Sequence, residues 1–220
     1  MLIRLSMFQL HPEQGYVLHL AEQLGIEARL VHHPRETSTC AEKAALLQET
    51  YPQDGWTRER VVKALYFTID KAMYGFVFPD LGGVVDPRAV RTVFARTGII
   101  VMDAKHGPRP SDFAIQSGLA KCSPPPLSME YGTCTPFPLE SEASTLRGMY
   151  IQAYASLDQQ VIDVSVGGHG PEAHTASFHL PYQAIYDILR QQFADKIHRT
   201  NFLYVKQKTR TSGMVPEKRE

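Results

Sequence analysis

The chain has 220 residues, 43% of them hydrophobic and 21% charged, and its formal net charge is zero. That composition suits one large domain with a sizeable core and lacks the basicity of a broad nucleic-acid binder, so no DNA partner is expected and any RNA contact should be local. No apolar run approaches the ~18 residues of a membrane span, the start MLIRLSMFQLHPEQG reads as mature protein and not a signal peptide, and Cys40, Cys122 and Cys134 lack metal-type spacing, which suits reduced thiols in a cytoplasmic protein.

Residues 14 to 27 place Val17, Leu20 and Leu24 at helical spacing, with Gly25 as the stop. ARLVHHP reads as a short strand ended by Pro34. Thr37 or Thr39 can cap a helix through AEKAALLQE, and Glu42 completes a capping box with Thr39. YPQDGWTRE is polar and rich in turn formers, so a loop is expected. RVVKALYFTIDKAMYGFVFPD holds two β-rich runs around IDKA and predicts a hairpin. Asp86 and Pro87 open a helix through RAVRTVFART. Residues 98 to 130 combine the apolar run GIIVMD with a proline-rich loop. MYIQAYASL and QQVIDVSVGG are strand-like, and SFHLPYQAIYDILRQQF turns from strand to helix after Pro181. Strands and helices interleave irregularly, without an internal repeat or a linker, which predicts a single α+β domain with a mixed sheet.

Some residues admit both a plain and a chemical reading. Lys63, among apolar neighbours in VVKAL, either reaches solvent from one sheet face or meets an anion in a cleft. YGTCTPFPLE cannot lie in a regular helix. Gly132 accepts positive φ, Pro136 fixes the exit, and the amides between them either make a plain turn or converge as an anion nest or oxyanion hole. Cys134 reads as a small buried hydrophobe or as a nucleophile with His169 or His174 as base. His169, His174 and His179 stand five apart, a spacing that gathers them on neither a strand face nor a helix face, so no metal site is expected. Of the adjacent His32 and His33, only one can face a cleft from a strand. Lys196, His198, Arg199, Lys206, Lys208 and Arg210 form either a solvated end or a phosphate patch.

Taken in order, HHPRET with its following helix, VVKAL, GTCTP, and VSVGGHG before SFHLPYQAIYDIL resemble the motifs of the YbaK/prolyl-tRNA synthetase editing-domain family. The resemblance runs from about residue 20 to about residue 190. It matches Lys63 to that family's strand lysine and Gly132 to Pro136 to its G-x-x-x-P loop. It implies a compact domain around a mixed, barrel-like sheet flanked by helices, spanning residues 16 to 200. Residues 1 to 15 would be an N-terminal extension and 201 to 220 a flexible or partner-docked tail.

The implied activity is hydrolysis in trans of the ester in mischarged aminoacyl-tRNA, without metal or other cofactor. The partners would be the acceptor end of aminoacyl-tRNA and an aminoacyl-tRNA synthetase, with no membrane. Lys63 would hold the terminal nucleotide, and the loop of Gly132, Thr133, Cys134, Thr135 and Pro136 would present amides to the scissile carbonyl. His32, Thr37, Gly167, Gly168 and His169 would contact substrate. The chain departs from the family pattern in PLSMEYG before the loop, in Ala64 after the lysine, and in the absence of an acid near Ala153. Two alternatives therefore stand beside it: a binding protein of the same fold without catalysis, and a Cys134-dependent hydrolase of small esters or amides.

Overall fold

The β-branched and aromatic run after Arg60 folds as its pattern predicts. In the computed structural model, which describes residues 15–99, 115, 116, 119, 129, 132–142, 144–169 and 171–204, β2 (Val61–Ile69) and β3 (Ala72–Pro79) form an antiparallel hairpin. Its register runs from Val62 opposite Pro79 to Ile69 opposite Ala72. Asp70 and Lys71 close it with φ of 49° and 64°, the paired positive values of a turn that follows the strand twist.

Around this hairpin assemble β1 (Arg29–His32), β5 (Leu146–Gln152), β6 (Val161–Ser165), β7 (Ala176–Pro181) and β8 (Ile197–Thr200). Together they make a seven-stranded sheet in the order β1-β7-β6-β2-β3-β5-β8. β2–β6, β3–β5 and β5–β8 are parallel, while the remaining neighbours are antiparallel, so the sheet is mixed and the fold is a single α+β domain. A small second sheet pairs β4 (Val84–Val85) with β9 (Leu203–Tyr204).

Both faces of the hairpin are buried, each against different helices. Val62, Ala64 and Tyr66 pack with Val17 and Leu20 of α1 (Tyr16–Gln23) and with Ile185, Ile188 and Leu189 of the C-terminal helix Tyr182–Phe193. Phe67, Tyr74, Phe76 and Phe78 face Val90, Val93 and Phe94 of α3 (Pro87–Arg96). The alternation along β2 thus feeds two cores. A third cluster sets Ala44 and Leu47 of α2 (Cys40–Thr50) on Trp56 and Val61. Arg60 steadies it, with its guanidinium 4.2 Å from the Trp56 ring centroid and its Nε donating to the Val161 carbonyl at 2.7 Å.

The helix starts match their sequence signals. Thr39 caps α2, its Oγ1 accepting from the Glu42 amide at 3.1 Å, while Glu42 Oε2 accepts from the Ser38 amide at 2.8 Å. Asp86 caps α3, accepting from the Arg88 amide at 3.1 Å, with Pro87 in the first turn. The expected loop YPQDGWTRE carries two short 3-10 turns, Pro52–Asp54 and Arg58–Arg60. Residues 201 to 204, assigned from sequence to a tail, are built into the fold. Phe202 is fully buried among Phe76, Phe78 and Tyr150, and Gln152 Oε1 accepts from the amides of Phe202 and Leu203. The rest of that tail, most of the N-terminal extension and the GIIVMD run from residue 100 lie outside the described residues. Among the described residues, no helix is long and apolar enough to cross a membrane.

Candidate functional site

The parallel strands β2 and β6 pair only at Val61–Asp163 and Val62–Val164, then part. A pocket of about 420 Å³ opens where they separate, lined by every β2 residue from Val61 to Phe67. Lining by consecutive residues means that the strand offers its edge here as well as its faces. A concave opening of this size with a few polar groups on its walls is where a small ligand would bind. The other walls come from Thr37 to Cys40 and Lys43 at the start of α2, Gly132 and Cys134, Asp163 and Ser165 of β6, and Ala173 to Ser177 in part.

Lys63 stands in that wall with its ammonium engaged. Nζ donates to Asp80 Oδ1 at 2.9 Å, and Arg58 donates to Oδ2 through Nε at 2.9 Å and Nη2 at 2.6 Å. Strand register explains the pair: Lys63 lies opposite Phe78, and Asp80 is two residues further along the same face. Asp80 is buried, whereas the Lys63 and Arg58 side chains are 37% and 56% exposed. Burial alone would raise the Asp80 pKa, but the Lys63 and Arg58 hydrogen bonds and charges reverse this and hold the carboxyl below its ordinary range. The cluster carries a net positive charge at the pocket's edge.

The loop from Gly132 to Pro136 is tied down on several sides. Thr133 Oγ1 donates to the Gly168 carbonyl at 2.8 Å, Ser165 Oγ donates to the Thr133 carbonyl at 2.8 Å, and Tyr66 donates to the Thr135 carbonyl at 2.7 Å. Thr133 and Thr135 are therefore fully buried struts, while Gly132 and Cys134 form the pocket wall. Cys134 packs partly against the core. Gly132 has φ +92°, and a Cβ there would meet the His174 ring at 3.2 and 3.4 Å. His174 lines the pocket beside it.

The remaining sequence candidates divide. Thr37 reaches the pocket. Gly167 and Gly168, at φ 82° and 97°, turn the end of β6 toward the loop, and the Gly168 carbonyl is the anchor for Thr133. His169 is exposed and outside the pocket lining. His32 is also exposed, because strand alternation turns His33 inward instead. In the basic cluster, Arg199 is engaged by Asp158 and Gln183, and His198 stacks on Tyr150 at 5.2 Å, where burial lowers its pKa. These contacts make them structural side chains first. Lys206, Lys208 and Arg210 lie outside the described residues.

The sequence reading missed a buried polar group beside the pocket. Asp163 Oδ2 is 3.0 Å from His179 Nε2 and 3.3 Å from His33 Nε2, and Lys43 Nζ is 3.9 Å from Oδ1. Desolvation pushes the Asp163 pKa up, yet the two imidazoles and Lys43 hold it far below the usual carboxylate range. Ser177 Oγ lies 2.9 Å from the same His33 nitrogen, so these residues do not form a relay in which one imidazole bridges serine and aspartate through its two nitrogens. An acid inside the apolar run VIDVS was the available signal, of the same kind that singled out Lys63.

No family model matches the chain, and no curated protein matches it significantly. Among solved structures it is similar to the hypothetical protein APE2540, with TM-score 0.52 and 16% identity over 86% of this chain and 99% of that one. A protein proposed as a trans-editing enzyme for prolyl tRNA synthetase aligns with TM-score 0.45 and 16% identity, covering 82% of this chain and 93% of that one. A structure from work on epitope backbone grafting onto scaffold proteins aligns with TM-score 0.48 and 14% identity, over 89% and 99%. At such identities the likeness concerns the fold.

Proposed function

We propose that the protein is an aminoacyl-tRNA deacylase that hydrolyses the ester of mischarged tRNA in trans. The observation that supports this most is that Lys63 and the Gly132–Cys134 stretch, far apart in the chain, line one pocket where β2 and β6 part. Its volume of about 420 Å³ suits an aminoacyl group with part of a ribose. The resemblance of four motifs in order points the same way.

In this reading the acceptor end approaches the positively charged edge, where the Asp80-held Lys63 meets a backbone phosphate. The aminoacyl group enters the pocket. Water adds to the ester carbonyl, and the loop amides stabilise the developing oxyanion. The carbon–oxygen bond to the ribose then breaks, with the water's oxygen kept on the amino acid and a proton passed to the ribose hydroxyl. An ester is activated enough for positioning and fixed dipoles to carry much of the rate. The carbonyl-side anchors of the loop keep those dipoles oriented before substrate arrives.

The test is deacylation of a panel of mischarged tRNAs. Lys63→Ala is expected to lower kcat/KM by roughly ten- to a hundredfold, as for loss of a charged contact that holds the substrate, while Cys134→Ser retains most activity. Binding of aminoacyl-tRNA without turnover would instead indicate a non-catalytic member of the fold. Loss of activity in Cys134→Ser, together with inactivation by alkylation, would indicate a thiol mechanism.

A further inference from the structure

Three buried side chains beside the pocket converge on one point. His33 directly follows β1, Asp163 lies on β6 and His179 on β7, which are neighbouring strands. Asp163 and His179 are direct cross-strand partners, so their side chains leave the same face of the sheet. Their exposures are 6% for His33, 2% for Asp163 and 1% for His179. One ligand-type atom from each lies within 4.8 Å of the others. The sequence spacing of His169, His174 and His179 predicts no metal site; the fold instead brings His179 to His33 and Asp163, residues which that spacing does not include.

Hydrogen bonding alone satisfies this cluster poorly. Both imidazoles address the same carboxylate oxygen through Nε2, and one of those nitrogens is shared with Ser177 Oγ. Both Nδ1 atoms are buried without a hydrogen-bond partner, and ligation through Nε2 leaves them so. In a tetrahedral centre with bonds of about 2.0–2.1 Å, neighbouring ligand atoms stand ~3.3 Å apart. The two Nε2–Oδ2 separations, 3.3 and 3.0 Å, are of that size. Two imidazoles and one carboxylate are a common ligand set for a divalent transition metal, and here two of the three sit on paired strands and the third directly follows a strand.

We propose that His33, Asp163 and His179 bind one divalent transition-metal ion of the zinc type, with a fourth position toward the pocket wall formed by Ser177. Asp163 and Ser177 both reach that wall, while Trp56 covers His179 with its ring centroid 4.8 Å away. Lys43 faces Oδ1 of Asp163, the oxygen the histidines do not use, and balances the carboxylate when no cation is bound. A cation at the site is repelled by that ammonium, so removing it strengthens binding. The inference is independent of the deacylation reading, and its test needs no tRNA.

The full chain, stripped with a chelator, is titrated with Co²⁺ and followed by visible absorption and by Trp56 fluorescence. Trp56 is the only tryptophan, so its emission reports on this site alone. One equivalent of Co²⁺ is expected to give a visible ligand-field band, quench Trp56 and yield to Zn²⁺, and Zn²⁺ is expected to raise the unfolding temperature. His33→Ala and His179→Ala lose the band, whereas Lys43→Met binds Co²⁺ more tightly, which a purely structural network does not predict. Absence of stoichiometric uptake, or uptake that leaves Trp56 emission unchanged, overturns the proposal even where a histidine variant does not fold. A band that survives replacement of both histidines overturns it as well.

Discussion

Gly132 illustrates how one residue carries two constraints. Its φ of +92° disfavours any side chain, and a methyl group would crowd the His174 ring at 3.2 Å. Gly132→Ala is expected to cost about 1–3 kcal/mol of stability through backbone strain and to lower deacylation more than binding, as read from denaturant unfolding and single-turnover kinetics. Asp80 is the second case. Because its folded pKa lies below the ordinary 3.8, ionisation stabilises the fold at neutral pH. That contribution is complete above the unfolded value and fades as pH falls through the folded one. Asp80→Asn should therefore flatten the acid limb of the stability–pH curve below about pH 4, near the reference carboxylate value. On the proposed function, the same change frees Lys63 from its fixed position, so deacylation should fall even though the pocket edge becomes more positive. A curve identical to wild type would refute the coupling. Of the two, Gly132 was reachable from sequence by its turn context, whereas Asp80 was not, because its partner is set by cross-strand register.

At the scale of elements, the start of α2 forms one wall of the pocket, so its cap bears on the site as well as on the helix. Thr39 and Glu42 satisfy amides at that end reciprocally with the preceding turn. Thr39→Ala is expected to cost about 1 kcal/mol, the usual loss for an N-cap hydroxyl. Hydrogen exchange should quicken first at residues 40 to 43, ahead of the sheet; uniform protection would show that packing alone holds the helix end. This cap was legible in the sequence, since a capping box depends on spacing within a few residues. The split between β2 and β6 was not legible. It depends on where two distant strands stop pairing, and neither strand's composition encodes that.

For the whole molecule, two cores on opposite faces of one hairpin make the sheet the common scaffold of fold and site. Phe202 joins the second core from a segment that the sequence assigns to a flexible or partner-docked tail, and it draws β9 onto β4. Phe202→Ala is expected to lose about 3–5 kcal/mol, as for other fully buried aromatic truncations; a midpoint shift near zero in urea would place that segment outside the cooperative fold. The sequence by itself determined the helices with local caps, the hairpin, the α+β class and the candidacy of Lys63 and the Gly132–Pro136 loop. Each of these follows from periodicity, turn chemistry or short-range motif, which act over a few residues. Only the tertiary structure decided that Lys63 is held by Asp80, that His33 and not His32 turns inward, and that Asp163 gathers two histidines. Those outcomes depend on strand order and register, which set cross-strand partners such as Asp163 and His179 and bring together residues more than a hundred positions apart, such as His33 and Ser177.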